Sequence, residues 1–422
     1  MASFQESYRV DTPRFAEMNN LTAGQGAEIL FATDDWFAAA ENLTRTTEPV
    51  FKDGLFTSEG KWMDGWETRR KRIPGHDWCI IKLAMPAVIY GVDFDTAFFT
   101  GNYVPRVSLQ AALLSKEEFA KFPPRATGAG KAAEDHELKT VKSLKTERWT
   151  RITPMSRLRP GYKPSRHNFV PVSDRSVYNV VRLNAYPDGG IARLNVFGHA
   201  YPDWSAVKPG EVVDLILAKT GGVCVAHSNA HYGHPRNLIA PGRGANMGDG
   251  WETARRLDRP AILEADARGV LRVPGQEWAI FRLGHRGSIM EIEIDTCHFK
   301  GNFPDAVKVD ACDVERYTED HLDTYYNWTP ILHPQKMQPH HQHLFQGDDI
   351  LPHAPMTYVR ITMSPDGGIS RVRINGTLQF DRFQTWTHGI ESVTQSLSGN
   401  GGDGDKARNG AIEPPAAAQP GA

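Results

Sequence analysis

Apolar and polar positions alternate in short runs that glycine and proline keep interrupting, a pattern that predicts strands and tight turns. Trp78-Cys79-Ile80-Ile81-Lys82-Leu83 follows Pro74-Gly75, and Trp278-Ala279-Ile280-Phe281-Arg282-Leu283 follows Pro274-Gly275; both runs are rich in aromatic or β-branched residues. Glu291-Ile292-Glu293-Ile294-Asp295 alternates cleanly, which predicts a strand with one charged and one apolar face. Residues 177–186 and 191–196 flank Pro187-Asp188-Gly189-Gly190 and read as a hairpin. Proline presets φ in such a turn, and glycine permits a positive φ. Residues 29–37 read as a further strand, in which Asp34 and Trp36 share a face by the period of two. Helical periodicity is scarce; residues 116–122 read as a short helical turn. The expected class is all-β, built as β-sandwiches.

The same pattern occurs twice. Asp64-Gly65-Trp66-Glu67-Thr68 returns as Asp249-Gly250-Trp251-Glu252-Thr253, and Asp95-Thr96 with Gly101-Asn102 returns as Asp295-Thr296 with Gly301-Asn302. Pro187-Asp188-Gly189-Gly190-Ile191 returns as Pro365-Asp366-Gly367-Gly368-Ile369, and a segment from Gly26 aligns with one from Gly221. Blocks kept in one order over such lengths mark a duplicated domain, not a solenoid unit. The expected layout is an extension over 1–20, a first repeat over 21–205, a linker over 206–221 and a second repeat over 222–386. A Gly/Ala/Pro-rich tail over 387–422 is too poor in large apolar residues to order itself.

Composition narrows the partners. With 48 Lys+Arg against 50 Asp+Glu, the net charge is −2 and no basic block marks a nucleic-acid or membrane surface. A small polar ligand fits better. The four cysteines form no CxxC and do not recur between the repeats, so reduced thiols are expected. The N-terminal stretch lacks an apolar segment and the final Pro-Gly-Ala is no peroxisomal signal, so the cytoplasm is the expected compartment.

The segments DDWF…ENL, DGWETRRKR…PGHDW and GGIARLNVFG, present twice in degenerate form, closely resemble the allantoicase family. The resemblance implies a tandem repeat of two jelly-roll-like β-sandwich domains, a homo-oligomer, and hydrolysis of allantoate to ureidoglycolate and urea in purine degradation. The alternative is a non-catalytic sandwich that binds a carbohydrate or small ureide, since sandwiches of this type also serve as pure binding modules.

Allantoate carries a carboxylate and two ureido arms on one carbon. Its recognition calls for a bidentate cation and for acceptors of ureido N–H; its cleavage calls for an acid and a base. The DGWET blocks nominate Glu67, Glu252, Asp64 and Asp249 for proton chemistry, with Arg69, Arg70, Arg255 and Arg256 for the carboxylate. The competing reading is a turn with an ion-pair cluster around a buried tryptophan. Asp34, Asp35, Trp36 and Asn42, with Asn229, His231 and Asn237 in the other copy, are the candidate pocket residues. The copies diverge at Asp34/Asn229, Trp36/His231 and Ala32/His227. No cofactor is expected; a divalent metal is left open, with His227 and His231 as its residues, although Gly233 and Pro235 argue against a helix that would align them.

Overall fold

The computed structural model describes residues 12–23, 26–314, 322 and 327–379. The expected tail and residues 1–11 lie outside these described residues. The first repeat runs β1 (Asn19–Asn20), β2 (Glu28–Ala32), β3 (Asp34–Asp35), β4 (Trp66–Glu67), β5 (Asp77–Asp95), β6 (Arg106–Ala112), β7 (Lys131–Ala132), β8 (Thr150–Arg157), β9 (Phe169–Pro171), β10 (Val177–Tyr186), β11 (Gly190–Ile191) and β12 (Arg193–Ala200). The second runs β13 (Val212–Asp214), β14 (Val223–His227), β15 (Trp251–Glu252), β16 (Glu277–Asp295), β17 (Ala306–Cys312), β18 (Thr329–Lys336), β19 (Gln342–Gln346), β20 (Met356–Ser364), β21 (Gly368–Ile369) and β22 (Arg371–Leu378). The two sheets have the same order, β1-β12-β5-β10-β6-β8 and β13-β22-β16-β20-β17-β18. The duplication read from the sequence is therefore a duplication of topology.

One strand organises each repeat. β5 is 19 residues long, too long for a single sandwich face. Its first part, Asp77 to Lys82, pairs with β2 and β10; its last part, from Ala87 on, pairs with β12 and β9. The strand thus passes from one layer to the other, and Ile81, Leu83, Val92 and Phe94 of β5 join Leu109, Leu183 and Leu194 in one core. β16 repeats this arrangement around Phe281, Leu283, Ile292 and Ile294. The charged-and-apolar alternation at Glu291–Asp295 holds, with Ile292 and Ile294 buried and Glu291 and Glu293 half-buried.

Two expectations are corrected. β10 and β12 are not a hairpin: they pair with β5 on either side of it, β10 mainly along Asp77–Lys82 and β12 along Ala87–Asp95, the two overlapping only at Ala87 and Val88. Residues 29–37 are not one strand either. β2 ends at Ala32, Thr33 turns to hydrogen-bond Trp78 and Asp77, and β3 pairs instead with β7. Within 206–221, β13 pairs with β22, and Leu215 and Ile216 enter the second core.

The first repeat carries an insertion, residues 113–149, with α1 (Lys116–Phe119), β7 and α2 (Asp135–Ser143). It covers the outer face of β5 and β10, where Phe31, Trp78, Ile80 and Val180 meet Leu138, Val141 and Trp149. Burial on both faces explains why the Trp78–Leu83 run is apolar without alternation. The repeats also touch through β1 and the residues just before it. Asn19 Nδ2 donates to Gly222 O at 2.7 Å, and buried Arg236 donates to Ala16 O and, at 3.4 Å, to Met18 O.

Close approach fixes a glycine in each repeat. A Cβ on Gly190 would lie 2.0 Å from the buried Phe99 ring, and one on Gly368 equally close to Phe299. Gly190→Ala and Gly368→Ala are each expected to cost about 1–3 kcal/mol by overpacking. A denaturation midpoint equal to the parent's in both variants would contradict this packing.

Candidate active site

The DGWET block folds as it does because its first job is to hold neighbouring loops. Trp66 is fully buried and its Nε1 donates to Asp34 O at 2.8 Å; Trp251 does the same to Asn229 O at 2.8 Å. Thr68 and Thr253 exchange hydrogen bonds with Gly189 and Gly367, which clips β4 to β11 and β15 to β21. Asn42 Nδ2 donates to Gly65 O and Asn237 Nδ2 to Gly250 O, at 2.8 and 2.9 Å. Both amides staple this loop, each with one of its N–H groups.

Asp64 and Asp249 occupy matching ion-pair sites. Asp64 Oδ2 meets Arg193 Nη2 at 2.9 Å, Oδ1 meets Arg45 at 3.1 Å, and Val50 N donates to Oδ2. Burial opposes ionisation there, yet the Arg193 and Val50 hydrogen bonds outweigh it and hold the carboxyl below its usual range. Asp249 Oδ2 meets Arg371 Nη2 at 2.8 Å. These carboxylates lock the β12 and β22 arginines.

Glu67 and Glu252 are set differently. Asn102 Nδ2 donates to Glu67 Oε1 at 2.6 Å, and Asn302 Nδ2 to Glu252 Oε1 at 2.5 Å. Burial pushes the Glu67 carboxyl up, against the lowering effect of the Asn102 bond. The two asparagines read from sequence as turn residues. Their recurrence in both copies, each behind a glycine and downstream of the acid, was the signal of a shared partner.

The pocket residues separate the repeats. In the first, Asp34 accepts from Trp36 N at 3.1 Å, Arg69 N at 3.0 Å and Arg69 Nε at 2.8 Å, while the Arg69 guanidinium lies 4.5 Å over the Trp36 ring. Asp34, Trp36 and Arg69 do come together, but the cation is consumed. Asp35 turns away to Arg125 and Ala40 N, and burial pushes its carboxyl up to about 6.

In the second repeat Ala254 stands where the first has Arg69, and His231 where it has Trp36. His231 is exposed against Tyr232, and Asn229 Oδ1 accepts Ala254 N at 2.9 Å. Where Ala254 replaces the arginine lies a cavity of about 470 Å³, lined by Asn229, Ala254, Arg255, Arg256, Asp258 and Glu277 among others. Arg256 Nη1 meets Glu277 Oε1 at 3.1 Å and its Nη2 meets Asp258 at 2.7 Å. Ser228 Oγ donates to the other Glu277 oxygen at 2.5 Å. Arg255 is exposed and makes no ion pair among the described residues, as does its counterpart Arg70. Glu252 does not line this cavity.

Glu277 was missed from sequence. Its counterpart Asp77 pairs with Lys71 at 2.5 Å, so both copies keep an acid beside the first strand tryptophan and a cation facing it. The recurrent acid before Trp78 and Trp278 carried that signal.

For a metal, the described residues bring together Cys297, His298 and His340. His340 Nδ1 already accepts His298 N–H at 2.8 Å, and His298 Nε2 faces Gly244 O at 2.9 Å, so these ring nitrogens are engaged. The expected residues do not join them: His227 packs on His234 and His231 on Tyr232.

The allantoicase repeat profile matches residues 18–201 and again 213–379. The chain belongs to the allantoicase family. A protein named probable allantoicase from Pseudomonas fluorescens (strain Pf0-1) is 40% identical over 372 residues, 88% of this chain and 98% of that one. Another, from Pseudomonas savastanoi pv. phaseolicola, is 39% identical over 360 residues, 85% of this chain and 96% of the relative. The crystal structure of allantoicase from Saccharomyces cerevisiae matches with a TM-score of 0.62 at 31% identity, covering 85% of this chain and 92% of that chain. The all-β tandem fold expected from the sequence is thus that of an allantoicase. Among the described residues no helix is long and apolar enough to cross a membrane.

Proposed function

We propose that this chain hydrolyses allantoate to ureidoglycolate and urea, with the substrate held in the second repeat's cavity. The observation that carries the placement is Arg255, a guanidinium without an ion-pair partner among the described residues, lining a cavity that also holds an amide and a fixed carboxylate. In the reaction a C–N bond at the central carbon breaks and a C–O bond to water forms. One proton passes from that water to the departing ureido nitrogen.

Arg255 takes the substrate carboxylate, for which the guanidinium fork is suited. Asn229 has its Oδ1 bound to Ala254 N, so its Nδ2 is left to donate to a ureido carbonyl. Glu277, held by Arg256 and Ser228, accepts a ureido N–H or the water proton. Glu252, held by Asn302 outside this cavity, and its counterpart Glu67 support the loop that carries Arg255 and Arg256, and the proton transfer is left to Glu277. Asp64 and Asp249 serve the fold in this reading. Four thiols, none bridged, support a reducing cytoplasmic setting, and the family resemblance supports a homo-oligomer.

Purified protein mixed with allantoate is expected to release urea and ureidoglycolate in equal amounts, and Glu277→Gln to slow release about 100-fold or more. No urea, with and without added divalent metal, would overturn the activity. Full activity in Glu277→Gln would move the chemistry elsewhere.

A further inference from the structure

We propose that the second repeat carries another binding site, for a small organic carboxylate with a polar body, on the side of β17 and β20 turned away from the core. It stands apart from the allantoate reading and involves none of the same residues.

The site comes from a second divergence between the copies. In the first repeat the His76 ring stacks on Tyr186 with centroids 4.3 Å apart, His76 Nε2 lies 3.1 Å from Asn184 Oδ1, and Ser108 hydrogen-bonds the Tyr186 hydroxyl at 3.0 Å. The equivalent positions, set by the shared registers of β6 with β10 and β17 with β20, hold Gln276, Ser364, Thr362 and Lys308. The stacked ring pair is lost, and the flexible Gln276 and Lys308 stand in its place. A cavity of about 380 Å³ results, lined by those four residues, Arg272 and apolar side chains including Val270 and Pro334. That volume is in the range of small-ligand pockets.

Its chemistry selects the ligand. Thr362 is 4% exposed, and its Oγ1 is buried with no hydrogen-bond partner among the described residues. A buried hydroxyl left unpaired is uncommon and costly, and a bound polar group would satisfy it. The charged lining residues are Arg272 and Lys308, and no carboxylate lines the cavity. Asp310 balances Lys308 at 3.0 Å, while the Arg272 side chain makes no ion pair among the described residues. One cation is therefore left over beside apolar walls and a free hydroxyl. A small carboxylate carrying a hydroxyl or amide meets all three.

The test uses N-carbamoylglycine, which has a carboxylate and one ureido group but lacks the second nitrogen whose loss defines allantoate hydrolysis. Titration calorimetry on the full chain bearing Arg70→Ala and Arg255→Ala is expected to show one saturable site. In that background Arg272→Ala should weaken binding about tenfold. Gln276→His with Ser364→Tyr, which rebuilds the first repeat's filling, should abolish it. Absence of binding in the starting background would overturn the proposal, as would unchanged affinity in Arg272→Ala. Arg272 is exposed, so its variant decides the matter even if the filled cavity fails to fold. Failure of the active-site reading shows separately, as an allantoate activity indifferent to Arg255.

Discussion

Asp64→Ala is expected to lose about 3–5 kcal/mol of stability, because it leaves the Arg193 guanidinium buried without its counter-charge. Both side chains of that pair are 3% exposed, so water cannot take the place of the missing carboxylate. The same change frees Val50 N and Arg45. For a repeat of this size the thermal midpoint should fall by roughly 10 °C. Asp64→Asn keeps an acceptor and should lose less. The measurement is thermal unfolding alongside activity per folded molecule. A variant as stable as the parent but inactive would return Asp64 to the chemistry.

Arg255→Ala is expected to lower kcat/KM for allantoate about 100-fold, chiefly by raising KM. A charge-assisted bidentate contact made to substrate and transition state alike is lost as uniform binding. Arg255→Lys should restore little, since an ammonium offers one point of charge where the carboxylate needs a fork. Arg70→Ala, in contrast, should leave kcat/KM nearly unchanged, because Arg69 and Trp36 occupy the corresponding space in the first repeat. Equal losses in the two variants would mean that both repeats bind substrate, and a larger loss in Arg70→Ala would place the site in the first.

Much of this could be read before the coordinates. Strand runs at Trp78 and Trp278, the duplication, and the divergence at Asp34/Asn229 all depend on local pattern, which survives in a single sequence. What escaped depends on distance in the chain. The hairpin reading of the PDGG turn failed because β5, running through Pro86, reaches both layers and pairs with each flanking strand separately. Proline usually ends a strand, so a 19-residue strand through it is not a natural reading. α2 was missed because Leu138 and Val141 are nearly its whole apolar face.

The site followed the same rule. Residues shared by both copies are poor discriminators, since Asp64, Asn42 and Asn237 also hold their own loops. Differences between the copies were the better guide. Ala254 in place of Arg69 lines the cavity around Asn229, while Glu277 stayed hidden because one acid beside a tryptophan does not stand out without the cation that faces it.

The contacts made by Ala16, Met18 and Asn19 impose an order of events during synthesis. These residues leave the ribosome among the first, but their partners Gly222 and Arg236 are made some 200 residues later. At ordinary translation speed that is a wait on the order of 10–40 s. Through it the first repeat can close its own sheet, yet the Ala16 and Met18 carbonyls and the Asn19 amide wait for their partners until the second repeat begins. The seam between the repeats therefore cannot form with the first sheet; it waits for the opening segment of the second repeat, whose own long strand β16 is made later still.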